Sequence, residues 1–473
     1  GSLENRMRFL MEIIHAIREE VGNDICVGIR LPNEEYIPGG LTAEDNAEIA
    51  KIVEPYVDYI SLHMGSYWRF HKLLSPMDDP LGHEMPANEP ITRQLTKPTI
   101  VVGRIMTLDQ ADTIINEGQA DMVSMVRALI ADPGLVNKAK QGNDELIRPC
   151  IGSNFGCVGQ IMSTGKLGCV VNIAAANETE VTFEPTEKPK SMEKILIVGG
   201  GPAGLEAART AAILGHDVHL HEATKRLGGQ VTIAATAPHR SDLGAITKWL
   251  ETEMERLKVN VTLNSLVDPD LVAEISPDRV ILATGSTPRT DGFQLTTPIV
   301  PLKGFDLNHV YSSWDVLGFG GRVTTEGPAV IFDDTGTFEA ISVADALLER
   351  GMQVTLVSRY ESLGASLPYP PATVEAARER LMSQNFDFIG GHYIQAITQD
   401  EVMIGVPFTE RKRRLQANTV ALVTYNHPNR ELSDYLTNQS LQLNHAIHTI
   451  GDASGTNGIQ AAIHQAANLI RSL

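Results

Sequence analysis

The feature that most constrains this chain lies near its middle. Residues 194–198 read KILIV, short and apolar enough for a strand buried on both faces, and Gly199-Gly200-Gly201-Pro202-Ala203-Gly204 follows directly. Helical sequence continues through Ala212, a second strand-like run covers 217–221, and Glu222 ends it. Strand, glycine loop, helix, strand and acid in that order predict a βαβ unit holding an adenine dinucleotide. Gly199, Gly201, Ala203 and Gly204 let the backbone approach a pyrophosphate, the helix N-terminus favours its charge, and Glu222 is placed for a ribose hydroxyl. The glycines alone would be weak evidence; the order of elements carries the reading.

Ahead of this unit, strand-like runs at 25–31, 57–62, 99–102 and 120–125 alternate with helical stretches at 6–21, 42–53, 90–95, 107–117 and 133–140. In the first helix Phe9, Leu10, Ile13, Ile14 and Ile17 share one face. Short buried strands alternating with helices predict parallel βα units. A (β/α)8 barrel needs eight strands and only four are visible, so the expectation is half a barrel. The other half would come from a second chain or be missing by truncation, and truncation is favoured. Gly103-Arg104 and Val126-Arg127 fall at strand ends, where barrels bind phosphate, although such arginines taken alone are more often structural ion pairs.

The four cysteines are too few for a disulfide framework, and Cys150, Cys157 and Cys169 cluster, which suggests an intracellular metal site. Lys plus Arg is 39 against 58 Asp plus Glu, a net charge of −19 that argues against nucleic acids and anionic membrane surfaces. No apolar run reaches the length a bilayer demands. The expectation is an acidic cytoplasmic α/β protein.

Several strings resemble one family. GSLENR at 1–6 is similar to the segment after the fourth barrel strand of old yellow enzyme relatives, although Gly1-Ser2 also reads as an expression scar. Residues 118–139 resemble the region that binds FMN phosphate in the old yellow enzyme and dienoyl-CoA reductase family. The spacing Cys150-x2-Ser153-x3-Cys157-x11-Cys169 resembles that family's C-x2-C-x3-C-x11-C motif for a 4Fe-4S cluster. Leu227-Gly228-Gly229-Gln230, the string VILATGSTP at 280–288 and Ile450-Gly451-Asp452-Ala453 are similar to its FAD-binding half, where an Asn- and Gly-containing loop leads into the last helix.

The resemblance implies an α/β fold: the C-terminal half of a TIM (β/α)8 barrel followed by a two-part Rossmann-like FAD/NAD(P)-binding region. Its domains would be a half-barrel for FMN (1–149), a cysteine segment and linker (150–192), the first part of the FAD or ADP domain (193–289), an inserted NAD(P)-type domain (290–425) and the FAD or ADP return segment (426–473). It implies FMN contacts from Arg30, Gly103, Arg104, Val126 and Arg127, and FAD or ADP contacts from the glycine loop, Glu222, Gly229, Gln230, Gly451 and Asp452. Cys150, Ser153, Cys157 and Cys169 would be the cluster ligands. A serine oxygen is harder than a thiolate, so three outcomes stay open: a cluster with Ser153 as ligand, a labile three-cysteine cluster, or none. Zinc is disfavoured, for want of a fourth soft ligand.

Two departures bear on function. After the second strand comes Ser61-Leu62-His63-Met64-Gly65-Ser66-Tyr67-Trp68, unlike the enoyl reductases and closer to the branch that oxidises N-methylated amines and betaines. Tyr67 and Trp68 would offer aromatic faces to an alkylammonium, or simply pack under the loop, and His63 would hydrogen-bond substrate or merely finish the strand. In the inserted domain (strand 328–332, helix 340–350, strand 353–358) the loop expected to be glycine-rich reads Asp333-Asp334-Thr335-Gly336-Thr337-Phe338-Glu339. Each like charge near a phosphate costs on the order of 1 kcal/mol. NAD(P)H binding is therefore expected to be lost, with ordinary loop variation as the alternative.

The resulting expectation is a flavin-dependent demethylating dehydrogenase of an N-methylated amine or betaine. Electrons would pass to an electron-transfer flavoprotein or another protein acceptor, and the assembly would be a homo-oligomer. The rivals are an NAD(P)H-dependent enoate or 2,4-dienoyl-CoA reductase, and an inactive fragment or electron-transfer subunit that needs a partner half-barrel.

Overall fold

The computed structural model describes residues 1–186, 191–319, 323, 325–439, 446–455 and 458–473. Parts of three expected segments lie outside them: the end of the linker, the loop near 321, and the loop that leads into the last helix.

The first unit is built on four strands, β1 (Gly28–Pro32), β2 (Tyr59–His63), β3 (Thr99–Val101) and β4 (Met122–Val123), parallel and in sequence order across the sheet. Helices Ala43–Val53, Met85–Thr92 and Leu108–Asn116 connect them, the first opened by a capping box in which Thr42 and Asp45 satisfy each other's backbone N–H. Leu31, Ile60, Leu62 and Val101 pack against Ala50, Val53, Ile91 and Ile114 of these helices. The expected first helix is present as Leu3–Val21, with its apolar face only partly covered. Met7 and Ile14 are buried, whereas Phe9, Ile13 and Ile17 of its apolar face are exposed. It precedes β1, an edge strand among the described residues, so the sheet supplies a surface on one side only.

The second unit begins with β5 (Lys194–Val198), helix Pro202–Leu214, β6 (Asp217–His221), helix Gly244–Arg256, β7 (Asn260–Thr262), β8 (Arg279–Leu282) and the short β9 (Ser286–Thr287). The chain then enters an insertion made of β10 (Val310–Ser312), β11 (Ala329–Asp333), helix Phe338–Glu349, β12 (Val354–Ser358), helix Glu375–Met382 and β13 (Phe386–Ile389). A meander of β14 (Tyr393–Ile397), β15 (Glu401–Gly405) and β16 (Lys412–Gln416) precedes β17 (Thr419–Val423). β18 (His427–Pro428) pairs back onto β9, and β19 (Ala446–Thr449) with helix Gly458–Arg471 completes the second unit. The two parallel sheets run β19-β8-β5-β6-β7 and β10-β17-β11-β12-β13.

Buried ion pairs join the units. Asp78 of the first accepts from Arg240 of the second (2.7 Å) and from Arg380 of the insertion (2.8 Å), and Arg380 also pairs with Asp345. No helix among the described residues is long and apolar enough to cross a membrane.

Candidate functional sites

The glycine loop opens a cavity of about 740 Å³, lined by Gly199, Gly201, Ala203, Glu222, Gly229, Gln230, Gly451 and Asp452. Gly204 stands behind it. A side chain there would overlap the Gly199 carbonyl, so its lack of Cβ sets the approach of helix to strand rather than touching a ligand. Glu222 accepts from the Gly200 and Thr224 backbone N–H groups (2.7 Å each), and its carboxylate therefore holds the loop as well as facing the cavity. Gln230 donates to Ser286 Oγ (3.0 Å) and Asp452 (3.3 Å), joining segments far apart in sequence. Thr224, Lys225, Arg226, Trp314 and Phe319 also line the cavity. Trp314 and Phe319 form an edge-to-face pair (4.9 Å) contributed by the insertion, where no local motif marks them.

At the carboxyl ends of β1–β4 the expected residues differ in burial and in partners. Arg30, in register with Ser61, is exposed. His63 contacts its own neighbour's carbonyl (Met64 O, 3.3 Å), and burial lowers its pKa. Tyr67 and Trp68 are 84% and 85% exposed, so neither packs under the loop and no cage closes around them among the described residues. Gly103 has φ +132°. Arg104 is buried; it donates to the Pro76 and Asp79 carbonyls and pairs with Asp242, the structural alternative weighed above. Val126 is exposed. Arg127 donates to Ser75 O (2.6 Å) and Asn154 Oδ1 (2.7 Å).

Glu84 went unnoticed in the sequence. It is 2% exposed, burial pushes its carboxyl up to about 8, and Oε2 has no hydrogen-bond partner among the described residues. It fills the space where Gly103 lacks a side chain (2.6 Å from a Cβ built there). Nothing in the string PLGHEMP signals this, because the partner lies on another strand end.

Cys150, Ser153, Cys157 and Cys169 line one small cavity together with Arg127 and Asn154. Burial raises the pKa of Cys157, and pushes that of Cys169 up to about 12. Among the described residues no three His, Cys, Asp or Glu side chains are placed to hold a single metal ion. A cluster does not need that convergence, since its ligands sit at separate corners. Three thiols and a hydroxyl around one cavity, beside a guanidinium that would offset negative charge, fit an iron–sulfur cluster in kind, short of one thiolate.

The acidic loop of the insertion is packed inward. Asp333 Oδ1 accepts from the backbone of Thr335 (3.0 Å) and Gly336 (2.8 Å), while Oδ2 accepts from Ser358 Oγ (3.2 Å). Asp334 accepts from Leu295 N (2.7 Å) and pairs with Arg359 (2.9 Å). Glu339 accepts from Ser313 Oγ. Burial raises all three pKa values, that of Asp334 to about 6.

Residues 1–145 match the NADH:flavin oxidoreductase / NADH oxidase family, and residues 193–301 match the pyridine nucleotide-disulphide oxidoreductase family. The chain joins a domain of each family. FMN-type and FAD-type binding domains therefore stand side by side in it. An NADH oxidase of Thermoanaerobacter brockii is 37% identical over 372 residues, 78% of this chain and 55% of that protein. An N,N-dimethylglycine/sarcosine dehydrogenase of Chromohalobacter salexigens is 36% identical over 383 residues, 78% of this chain and 53% of that one. The histamine dehydrogenase structure from Rhizobium sp. 4-9 superposes with a TM-score of 0.91 at 26% identity, covering 100% of this chain and 69% of that one. The chain spans about half the length of the curated relatives it matches.

Proposed function

We propose that the chain belongs to a flavin-dependent enzyme that oxidises an N-methylated amine or betaine and passes the electrons to a protein acceptor. The carrying observation is the loop after β11. The backbone N–H groups of Thr335 and Gly336, donors of the kind a pyrophosphate would need, are taken by Asp333, and buried Asp334 and partly buried Glu339 add further carboxyl groups around it. A dinucleotide phosphate would have to displace an internal anion substitute and lie among carboxylates. In this reading the flavin is reduced by substrate and not by NADH. The relative named for dimethylglycine and sarcosine, at nearly the same identity as the one named for NADH, supports the substrate class.

The four-stranded sheet is read as the C-terminal half of a barrel, with the five segments bounded as given above. Arg30 and the strand ends at Gly103 and Val126 would face FMN, with Arg104 and Arg127 holding the loops behind. When bound, FMN would supply hydride acceptance from the N-methyl carbon of the substrate, whose iminium product water would hydrolyse to formaldehyde and the demethylated amine. Tyr67, Trp68 and His63 would face the substrate. The glycine loop, Glu222, Gly229, Gln230, Gly451 and Asp452 would hold FAD or ADP, and the cysteine segment a cluster on the route to an electron-transfer flavoprotein. A cytoplasmic homo-oligomer fits this assignment.

The test mixes the protein, expressed anaerobically in its full reading frame, with excess NADH and separately with dimethylglycine or methylproline. Bleaching of the visible flavin band by the amine and not by NADH is expected. Rapid bleaching by NADH would overturn the argument from Asp333 and favour the reductase.

A further inference from the structure

The serine in the cysteine segment has a consequence for the metal centre. Its neighbours on both sides are fixed from outside the loop. The Gly152 carbonyl accepts from Met77 N (2.8 Å), and a side chain at Gly152 would meet Asp242 and Met77. Asn154 has φ +62°; its amide donates to Leu74 O (2.6 Å) and Ala372 O (3.1 Å), and its oxygen accepts from Arg127 (2.7 Å). Two residues further on, a Cβ at Gly156 would lie 2.5 Å from Val170 N, so the loop is already seated against the segment that carries Cys169.

A hydroxyl reaches less far than a thiol. Metal–sulfur bonds run about 2.3 Å against roughly 2.0–2.2 Å for metal–oxygen in zinc sites, and the carbon–oxygen bond is itself shorter than carbon–sulfur. A loop free to move inward would absorb the difference, but this one is held by the first unit, the insertion and the Cys169 segment. Ser153 Oγ meanwhile accepts from its own loop, at Phe155 N (3.4 Å). Oxygen is also the harder donor, and iron–sulfur corners favour soft thiolate.

We propose that Ser153 is not a ligand, and that Cys150, Cys157 and Cys169 hold a cluster with one iron corner lacking any protein ligand. The inference rests on the reading of the cysteine segment as a cluster site. Such a corner is labile to one-electron oxidation: [4Fe-4S]2+ gives [3Fe-4S]+, Fe2+ and an electron taken by added ferricyanide. The three thiolates stay bound throughout, and ferrous iron with a reductant reverses the loss.

The experiment uses the protein in its full reading frame, purified anaerobically, with iron and sulfide analysis and electron paramagnetic resonance before and after ferricyanide. Loss of about one iron in four is expected, with the signal of an oxidised three-iron cluster, and S153A should behave as the parent does. S153C should keep all its iron and stay silent under the same treatment. A parent that keeps its iron while S153A loses it would make Ser153 a ligand and overturn the proposal, leaving the cluster reading intact. Protein without iron or sulfide in all three forms would overturn both.

Discussion

Glu84 shows how one side chain sets a pH response. Its carboxyl is buried at the carboxyl end of the first sheet, and its pKa rises from 4.5 to about 8. The unfolded chain ionises this group near 4.5, whereas the folded protein holds the proton until about 8. Between those values the native state binds more protons, so the group's contribution falls as pH rises, by up to about 1.4 kcal/mol per pH unit. Below 4.5 the penalty is absent, and above 8 it is constant. Nearby His83 works the other way, with its pKa lowered to about 4 by burial. It takes a proton more readily when unfolded, so stability falls as pH drops from 6.5 towards 4. E84Q is therefore expected to flatten the loss of stability between pH 5 and 8 while leaving the acid limb in place, as read from urea midpoints across that range. An unchanged slope would show that the carboxyl is ionised in the native state.

Among the elements, the turn from β5 into helix Pro202–Leu214 is the least tolerant. A methyl at Gly204 would overlap the Gly199 carbonyl, and neither backbone has room to retreat, because the helix is buried along most of its length. G204A is expected to push helix from strand, and to abolish ADP binding measured by calorimetry. The loss of stability should be about 1–3 kcal/mol, since overpacking of this kind is strain in a close-packed core. Binding retained at parental affinity would place the ligand away from this loop. This turn was legible because every requirement it meets is local: an apolar strand, glycines where backbones touch, an acid at the next strand end. The same holds for β1–β4 and for β11–β12. The meander β14–β16 was not legible. In Lys412–Gln416 only Leu415 is buried, so the strand carries no alternation for a period-two reading to catch. The helix before β1 was legible from its apolar periodicity, yet Phe9, Ile13 and Ile17 of that face stay exposed, because burial depends on a neighbouring surface that periodicity does not report.

For the whole molecule, the decisive contacts join residues that sequence reading has no means of pairing. Asp78 lies 162 positions from Arg240 and 302 from Arg380, yet its buried carboxylate accepts from both. Arg240 also stacks over Phe338 (4.0 Å), and Phe338 lies parallel to Phe155 of the cysteine segment (5.7 Å). One carboxylate therefore ties the first sheet, the dinucleotide unit and the insertion at a single point, close to the proposed cluster. Under the proposed function the insertion has no nicotinamide to deliver, and a rigid junction at Asp78 fits that reading together with the inward-packed loop after β11. Removing one partner of a buried ion pair leaves the other charge uncompensated, at a cost of about 3–5 kcal/mol. D78A is accordingly expected to lower global stability by that amount and to raise amide exchange around Arg240 and in helix Glu375–Met382, with β5 and β6 still protected. D78N, which keeps an acceptor oxygen without the charge, should lose less. Equal and small losses for both variants would mean that the three units are held together by apolar packing, and that the insertion owes its position to something other than Asp78.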